Sequence, residues 1–405
     1  MAVTPEDRRY MAAALRLSRW HTGLTATNPS VAALVVRDGA IVGQAVTAPG
    51  GRPHAETQAL AIAGDRARGA TLYVTLEPCS HHGKTPPCAN AIVEAGVASV
   101  VVSLTDPDPR VSGRGLAILR EAGITVESGV LEEEGRRALS AYLMRQTRGR
   151  PHVTLKLAVS ADGMIGRQGH APGEGQLAIT GPAARAQSHV LRAESDAILV
   201  GIGTALADDP DLTCRLPGLQ HRSPLRIVLD RHLALPVTSK LVRTAHAVPV
   251  LIAALPLSPP GSPAASPFSP AGRRWSEGPD EGGEATPAER AARHQALTAA
   301  GVEILVPESL PMLLAALAAR GISSLLVEGG ATVAKSFLAA GLVDRILLFT
   351  GATIVGEGGI ESPLRHPDIG AENSTAAAPA APAGFRLLRT ATFGPDRLAE
   401  YERSS

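Results

Sequence analysis

Three side chains that commonly bind transition metals follow one another in the amino-terminal part of the chain. His54 precedes an apolar helical run, Cys79 follows a strand-like run, and Cys88 stands just before a second helical run. One imidazole and two thiolates form a ligand set that leaves the fourth tetrahedral position of zinc open for water. The positive end of a helix dipole also lowers the pKa of a nearby thiol. The pattern therefore predicts a catalytic zinc site formed by His54, Cys79 and Cys88.

Glu56 supplies the carboxylate that such a site needs. In mid-helix, residues two positions apart point to opposite sides, so His54 and Glu56 can face one site only where a helix begins. There the imidazole can bind the metal while the carboxylate takes a proton from the bound water and delivers it to a leaving amine. The spacing H-x-E followed by P-C is typical of zinc nucleobase deaminases, although their two cysteines lie closer together. Glu56 is thus the predicted general acid and base.

Three other interpretations of these residues stay open. A structural zinc site would need a fourth ligand, which His81 or His82 could supply. Cys79 and Cys88 could form a disulfide, and His54 could be an ordinary histidine unrelated to the cysteines. We favour catalytic zinc because three ligands and a well-placed carboxylate come together at the ends of predicted elements.

Alternating strands and helices are predicted to hold this site. Thr4 and Pro5 are typical of a helix start, and Asp38-Gly39 predicts a hairpin between two apolar strands. Strand and helix patterns then alternate, which indicates a largely parallel sheet covered by helices. The predicted strands are Val31–Val36, a run near Ile41, Thr71–Leu76, Ser99–Leu104 and Ile124–Glu127, and the predicted helices are Ala89–Ala95 and Leu116–Ala122.

The polar stretch Arg145–Pro151 separates this part from a second alternating pattern, so we expect one domain at 1–148 and another α/β domain at 151–405. A Pro-, Ser- and Gly-rich segment near 256–290 predicts a disordered insertion in the second domain. A shorter loop is predicted at Ala376–Gly384. The second pattern predicts strands near His152–Leu157, Ala197–Val200, Arg226–Leu229, Pro249–Ala253, Ser323–Val327 and Arg345–Phe349, and helices near Ala183–Arg192, Leu310–Ala319 and Val333–Ala339.

Composition limits the classes of function. The 405 residues suit two or three domains, and 44% hydrophobic with 19% charged residues indicates a globular protein. A net charge of +1 and few aromatic residues (Trp 2, Tyr 4, Phe 5) argue against nucleic-acid binding. The amino terminus has no signal-like apolar run, no stretch could span a membrane, and three cysteines are too few for a disulfide framework. We therefore expect a cytoplasmic protein.

The stretch LYVTLEPCSHHGKTPPCANAI, preceded by RPHAET and followed by LTDPDPRVSGRG, resembles the deaminase domain of the bifunctional riboflavin-biosynthesis deaminase-reductases. The run GKTPPC is far more specific than H-x-E alone. The resemblance implies a cytidine-deaminase-like three-layer α/β fold and a diaminopyrimidinone substrate that carries a ribosylamino 5-phosphate. We expect Lys84 to contact the phosphate or the pyrimidine, with a solvated loop lysine as the alternative. The implied site positions are Asn28, His54, Glu56, Cys79, Lys84 and Cys88.

The chain departs from that family at a few positions. Thr47 stands where the family usually has His, Asp108 where it has Asn, and Ala32 where it has Gly. Ala178 replaces the Trp of a Trp-Ile-Thr run in the reductase part. These departures concern contacts to substrate or cofactor and not the metal ligands. An aspartate only accepts hydrogen bonds, whereas an asparagine also donates them.

A second chemical signal is Leu325–Thr332, which combines a strand, a double-glycine turn and a helix start. Free N–H groups at such a helix start can bind a pyrophosphate, although a tight strand–helix turn alone would also explain the glycines. No G-x-G-x-x-G follows a strand here, which argues against a Rossmann domain. Cys214 lies in a loop-like stretch and is interpreted as an incidental thiol.

The runs LKLAVSADG, LRAESDAILVGIGTALADDPDLTCR, RIVLD and VEGGATVAKSFL resemble the reductase domain of the same family in order and spacing. That domain is similar to dihydrofolate reductase in fold and uses NADPH. The resemblance implies that Lys156 and Asp208 are polar participants near the hydride transfer. The implied cofactor positions are Ala158, Thr204, Asp208, Arg231, Gly330, Ala331, Thr332, Val333, Ala334, Lys335 and Ser336. The implied substrate positions are Arg192, Leu212, Arg215 and Glu328.

Plainer interpretations of these reductase positions stay open. The two substrate-facing arginines suit a phosphate because guanidinium groups bind it bidentately, but Arg192 could also lie on a solvated helix face. Asp208-Asp209-Pro210 could be a helix cap or turn. Arg231 could pair with the 2′-phosphate of NADPH or be a solvated turn residue.

Together these observations predict a bifunctional enzyme of riboflavin biosynthesis with one zinc ion and NADPH. It would deaminate the phosphorylated pyrimidine and then reduce the ribosyl group to ribityl. Two other functions stay open: a zinc nucleoside or transfer-RNA deaminase fused to an unrelated domain, and a non-catalytic regulator that binds metal and nucleotide. We expect a small-molecule partner, with neither nucleic acid nor membrane, and leave homo-oligomer formation open.

Overall fold

The computed structural model describes residues 3–80, 86–108, 111–168, 177–255, 286–364 and 381–404. The chain separates into two compact units. The first holds Met1–His152, Glu194–Asp196 and Leu317–Ser324, and the second holds Val153–Ala193, Ala197–Ala316 and Leu325–Ser405. Among the described residues, every helix is too short or too polar to span a lipid bilayer.

The first unit alternates strands and helices along the chain. Its elements are α1 (Pro5–Leu17), β1 (Ala32–Arg37), β2 (Ala40–Val46), α2 (Ala55–Ala63), β3 (Thr71–Leu76), α3 (Cys88–Ala95), β4 (Ser99–Leu104), α4 (Arg114–Glu121), β5 (Thr125–Ser128), α5 (Glu132–Ala138) and α6 (Ser140–Arg148).

The sheet of this unit is mixed, in the order β2-β1-β3-β4-β5. Strands β3, β4 and β5 run parallel, whereas β1 pairs antiparallel with both β2 and β3. The predicted Asp38-Gly39 hairpin is confirmed, and only the antiparallel pairing of β1 with β3 departs from the expected largely parallel sheet. The Asp38-Gly39 turn, with φ of 52° and 74°, reverses the chain within two residues, and a hairpin always makes an antiparallel pair.

Helices cover both faces of this sheet. On one face, Tyr10, Met11 and Leu15 of α1 pack against side chains that include Leu34 and Tyr73. On the other face, α2, α3 and α4 bury small and branched side chains against the alternate residues of the same strands. Because successive strand residues point to opposite faces, an almost wholly apolar strand serves both layers. The unit is thus a three-layer α/β domain.

The remaining elements lie wholly or mostly in the second unit. They are β6 (His152–Val159), β7 (Met164–Arg167), α7 (Pro182–Ala193), β8 (Ala197–Gly201), α8 (Ile202–Asp208), β9 (Leu225–Leu229), α9 (Lys240–Arg243), β10 (Val250–Ala253), α10 (Pro287–Ala299), β11 (Glu303–Leu305), α11 (Leu310–Ala319), β12 (Ser324–Val327), α12 (Ala331–Ala339), β13 (Arg345–Thr350), β14 (Gly359–Glu361), β15 (Phe385–Phe393) and β16 (Asp396–Arg403).

A nine-stranded sheet forms the centre of this unit, in the order β11-β10-β9-β8-β12-β6-β13-β16-β15. The pairs β11–β10, β10–β9, β9–β8, β8–β12 and β6–β13 are parallel, whereas β13–β16 and β16–β15 are antiparallel. Strands β7 and β14 form a separate antiparallel pair. The sequence pattern predicted the parallel strands except β11. It did not predict the carboxyl-terminal hairpin, because β15 is mostly exposed or half-buried and lies at an edge.

The predicted insertion near 256–290 is followed by a helix. Helix α10 begins at Pro287, and Thr286 caps it in a capping box with Glu289. The predicted limit near 290 lies a few residues inside this helix, whose capping residues are visible in the sequence. Residues 256–285, and most of the loop predicted at Ala376–Gly384, lie outside the described residues.

Candidate active sites

The ends of three elements place the predicted metal ligands. His54 is the N-cap of α2, Cys79 lies in the segment that follows β3, and Cys88 is the first residue of α3. Their ligand atoms lie within 4.8 Å of one another. The structure therefore brings together three residues that the sequence separates by two elements.

The separations between these atoms suit zinc. His54 Nδ1 lies 3.6 Å from Cys79 Sγ and 3.3 Å from Cys88 Sγ. Zinc with ordinary bond lengths and tetrahedral angles would hold an imidazole nitrogen and a thiolate sulfur about 3.5 Å apart. The donor set of one imidazole and two thiols thus fits the metal in chemistry and in spacing.

Hydrogen bonds polarise the two thiols in opposite directions. The hydrogen bond from the Cys88 thiol lowers the pKa of Cys79 to about 4, although burial opposes this, and the His54 ring acts in the same direction as Cys88. The Cys88 backbone N–H also donates to Cys79 Sγ at 3.3 Å. The same pairing, together with burial, raises the pKa of Cys88. These contacts make the Cys79 thiol easier to deprotonate and the Cys88 thiol harder, and both must be deprotonated to bind zinc.

Glu56 lies in the first turn of α2 and is only 3% exposed. Burial raises the pKa of its carboxyl group, an effect that the neighbouring His54 opposes. His54 itself has extended backbone dihedrals, with φ −70° and ψ 158°. The residue spacing of two brings both side chains to one cavity because the helix begins between them, as the sequence predicted.

A cavity of about 310 Å³ opens beside these residues. Asn28, which the resemblance implied, lines it, and so do Thr47 and Asp108, which depart from the family pattern. The Thr47 hydroxyl accepts a hydrogen bond from Val31 N–H at 3.1 Å, so it binds the backbone directly before β1. Ala32, a further departure, lies buried in β1.

Four charged residues and a tyrosine of the cavity were not predicted from the sequence. Arg52, Glu77, Asp106, Tyr142 and Arg145 also line it. They come from separate segments, and no local pattern joins them. The adjacency of Glu77 to Pro78-Cys79 was the one available signal. Lys84, His81 and His82 lie outside the described residues.

A second group of predicted residues gathers at the carboxyl edge of the larger sheet. Strands β9, β8 and β12 are parallel neighbours, so the segments after them meet at one edge. Arg231 follows β9, Thr204 follows β8, and Glu328 follows β12. The Thr204 hydroxyl accepts a hydrogen bond from Gly330 N–H at 3.2 Å, which joins two of these segments directly.

Lys156, Arg192 and Glu328 form a charged cluster. Arg192 donates to both oxygens of Glu328 at 3.0 and 2.8 Å, with the two side chains 13% and 11% exposed. Burial alone would raise the pKa of Glu328, but Arg192 and Lys156 lower it to about 2. Burial lowers the pKa of Lys156, and Glu328 opposes this effect. Arg192 thus lies in a buried ion pair and not on a solvated helix face.

The segment after α8 has a constrained backbone. Asp208 is the last residue of α8, and Asp209 follows it as a left-handed C-cap with φ 38°. Leu212, buried at 3% exposure, also has a positive φ of 54°. Arg215 is exposed and donates to Asp211 at 3.3 Å. Asp208-Asp209 therefore does form a helix end, which leaves a role for Asp208 toward the cofactor as a prediction.

The remaining predicted cofactor positions differ in exposure. Helix α12 begins at Ala331 after Gly330. In the first two turns of α12, Val333 and Ala334 are buried, whereas Thr332, Lys335 and Ser336 are exposed. Any contact made by the two buried residues would use their backbone.

The exposure and contacts of the other positions discussed for the second unit are as follows. Ala158 is half-buried on β6, and Ala178 accepts a hydrogen bond through its carbonyl from the Thr353 hydroxyl at 3.4 Å. Arg231 donates to His232 Nε2 at 3.2 Å. Cys214 is buried outside the metal-ligand cluster, as expected for an incidental thiol.

Two family models match the chain. The RibD C-terminal domain matches residues 151–258 and 284–396, and the cytidine and deoxycytidylate deaminase zinc-binding region matches residues 4–104. The two matched segments of the first model leave out most of the Pro-rich segment.

Relatives with similar sequences extend over most of the chain. The riboflavin biosynthesis protein RibD of Aquifex aeolicus is 38% identical over 354 residues, which cover 87% of this chain and 88% of that protein. The protein of the same name from Escherichia coli is 38% identical over 367 residues, with 87% and 89% covered.

Solved structures are similar over nearly the full length. Acinetobacter baumannii RibD has a TM-score of 0.76 at 32% identity and covers 98% of this chain and 99% of its own. A diaminohydroxyphosphoribosylaminopyrimidine deaminase/5-amino-6-(5-phosphoribosylamino)uracil reductase from Thermotoga maritima has a TM-score of 0.75 at 31% identity, with 98% and 99% covered.

Proposed function

The chain belongs to the RibD family, whose members join a deaminase and a reductase for riboflavin biosynthesis, and on this premise we propose which of its residues perform each reaction. The protein is a bifunctional enzyme with a zinc-binding deaminase domain and a reductase domain. We propose that the deaminase domain spans 1–148 and the reductase domain 151–405.

In the deaminase, we assign His54, Cys79 and Cys88 to one zinc ion. When bound there, zinc would make a water nucleophilic near neutral pH. Glu56 is buried beside the ligands, so its carboxylate can take a proton in the cavity and deliver it to the leaving amine. Asn28 and Lys84 are assigned to the substrate. The observation that carries the assignment is the convergence of the three ligand atoms beside Glu56.

In the reductase, we assign NADPH to the carboxyl edge of the larger sheet. When bound, NADPH would supply a hydride. Lys156 and Asp208 would act near the transferred hydride, and Arg192, Leu212, Arg215 and Glu328 would hold the substrate. The assigned cofactor residues are Ala158, Thr204, Asp208, Arg231 and 330–336. The parallel order of β9, β8 and β12, which gathers these segments, supports the assignment.

The proposed substrates follow from the activity named for the Thermotoga maritima relative. The first would be the diaminopyrimidinone that carries a phosphoribosylamino group, and the second its aminouracil product. Both are small phosphorylated pyrimidines, so the charged side chains of each site suit them. The cytoplasmic location and the absence of nucleic-acid or membrane partners remain predictions from composition.

Assay of the purified protein with the diaminopyrimidinone tests this function. We expect ammonia release without NADPH, and NADPH oxidation only as the aminouracil forms. Direct addition of the aminouracil should start NADPH oxidation at once. Absence of ammonia release from protein with a full complement of zinc would contradict the deaminase assignment. Rapid oxidation of NADPH with the undeaminated substrate would contradict the order of the two steps.

A further inference from the structure

Glu77 is a buried carboxylate that lies beside the zinc-ligand segment but has no part in the proposed chemistry. It is 3% exposed and follows β3 directly. Its Oε2 accepts hydrogen bonds from the backbone N–H groups of Asp106 at 3.2 Å and Gly113 at 3.0 Å. Its Oε1 accepts from those of Gly115 at 3.0 Å and Leu116 at 3.4 Å. One side chain therefore holds four amides of another segment.

These amides belong to one wall of the substrate cavity. We call residues 106–108 and 111–116 the cavity wall, because Asp106, Asp108 and Val111 line the cavity and α4 begins at its far end. The first N–H groups of a helix have no partner within that helix, so the carboxylate also satisfies α4. The cavity wall is thus attached to the segment that carries Cys79 through a charged group and not through apolar packing alone.

A second observation shows how closely the two segments approach. A side chain on Gly115 would collide with the carbonyl oxygen of Pro78, the residue between Glu77 and Cys79. This glycine has an ordinary negative φ, so its small size serves the close approach and not an unusual conformation. The separation of the cavity wall from the ligand segment is therefore determined at two independent points.

The wall in turn orients the polar groups that face the cavity. The Asp106 carboxylate accepts hydrogen bonds from Asp108 N–H at 2.9 Å and from the Tyr142 hydroxyl at 2.9 and 3.1 Å. A shift of the Asp106 backbone would move its carboxylate and disturb both partners. Position errors of about 1 Å in groups that orient a substrate are costly to catalysis.

We propose that Glu77 is a positioning residue of the deaminase: it holds the cavity wall against the zinc-ligand segment and so sets where Asp106, Asp108 and Val111 meet the pyrimidine substrate. This inference rests on the proposed deaminase function. It assigns to Glu77 neither metal binding nor proton transfer.

The test is the kinetics of Glu77→Gln in the full-length, zinc-loaded protein. The amide would replace one acceptor oxygen with an NH₂ group that faces two N–H donors, so the wall should move. We expect KM for the diaminopyrimidinone to rise about 10-fold or more while kcat stays within about threefold. Zinc content by elemental analysis and reductase activity on the aminouracil should equal those of the parent. Glu94→Gln on α3 is the control and should leave all four quantities unchanged.

Gly115→Ala provides a second, uncharged route to the same displacement. This substitution leaves the Glu77 carboxylate in place but pushes the cavity wall away from Pro78. The KM for the diaminopyrimidinone should therefore rise, while the zinc content should stay unchanged. An unchanged KM in either soluble variant, or a fall in kcat alone, would overturn the positioning role. Loss of zinc or insolubility of both variants would also overturn it, because Glu77 would then serve folding or metal binding. If the parent itself releases no ammonia, the proposed function has failed instead.

Discussion

Glutamates with little exposure to solvent occupy different environments in this protein. Glu56 lies beside the proposed zinc ligands, Glu77 accepts backbone amides, and Glu328 pairs with Arg192. A buried carboxylate is costly unless hydrogen bonds or an opposite charge compensate it. These environments suit the proposed roles: proton transfer for Glu56, positioning for Glu77 and substrate binding for Glu328.

Glu56→Gln should abolish ammonia release while zinc stays bound. The amide cannot take and return a proton, so kcat should fall at least about 100-fold. The variant should oxidise little NADPH with the diaminopyrimidinone and oxidise it normally with the aminouracil. Ammonia assays and elemental analysis measure both effects. Retention of more than about a tenth of kcat, equivalent to ~1.4 kcal/mol, would remove Glu56 from the role of general acid and base.

Glu328 should make the reductase domain sensitive to acid. Its pKa is about 2 in the folded protein, against an ordinary value of 4.5. A lowered pKa stabilises the fold above the ordinary value, and this contribution is lost as pH falls from about 4.5 toward 2. At neutral pH this contribution to the free energy of unfolding is on the order of 3 kcal/mol.

Urea unfolding of Glu328→Gln between pH 7 and pH 3, followed by circular dichroism, measures this contribution. The variant should be less stable than the parent near neutrality, and the difference should shrink as the pH falls. Glu308→Gln, which alters an exposed carboxylate, serves as control. A difference independent of pH would show that the ion pair is not its source.

Packing between elements also determines where the proposed ligands of the deaminase site lie. Strand β2 packs against α2, and a side chain on Gly43 would collide with the backbone of Ala59 and Ala63. His54 is the N-cap of the same helix. The small residue on the strand therefore sets the position of the helix that carries both the imidazole and Glu56.

Gly43→Ala should force β2 away from α2. Overpacking of this kind usually costs about 1–3 kcal/mol. We expect a lower urea midpoint for loss of deaminase activity and weaker zinc retention against a chelator. Gln44→Ala alters the adjacent exposed residue and should change stability by less than about 0.5 kcal/mol. Equal effects of both substitutions would argue against close packing at Gly43.

The two compact units each carry one group of functional residues. The proposed zinc ligands and their cavity lie within the first unit, and the cluster of Lys156, Arg192 and Glu328 lies within the second. Each reaction therefore provides an internal control for substitutions made in the other unit. The Pro-rich segment belongs to neither group.

Deletion of residues 259–284 should leave both activities and the stability of the protein nearly unchanged. The composition predicts little buried core, and shortening a long loop changes its closure entropy only slightly. A longer deletion through Glu289 would also remove the capping box of α10 and should cost about 1 kcal/mol. Urea unfolding of the three proteins compares them, and a large loss in the shorter deletion would show that the segment is folded.

The cluster of His54, Cys79 and Cys88 beside Glu56, and most strands, could be predicted from the sequence because their signals are local. Thr4 and Asp7 form the capping box of α1, and Thr71–Leu76 and Ser99–Leu104 are strands with the predicted bounds. Residue type, apolar periodicity and helix-start chemistry each act over a few neighbours. The family resemblance, carried by long specific runs, added the substrate class and NADPH.

Only the tertiary structure showed which distant residues meet. Glu77 contacts amides near residues 106 and 113–116, Tyr142 contacts Asp106, and Arg192 pairs with Glu328 across 136 positions of the chain. The antiparallel pairing of β1 with β3 and the hairpin of β15 and β16 also became visible only in the tertiary structure. Strand order and side-chain pairing depend on contacts far apart in sequence, and no local pattern encodes which partner a buried charge will find.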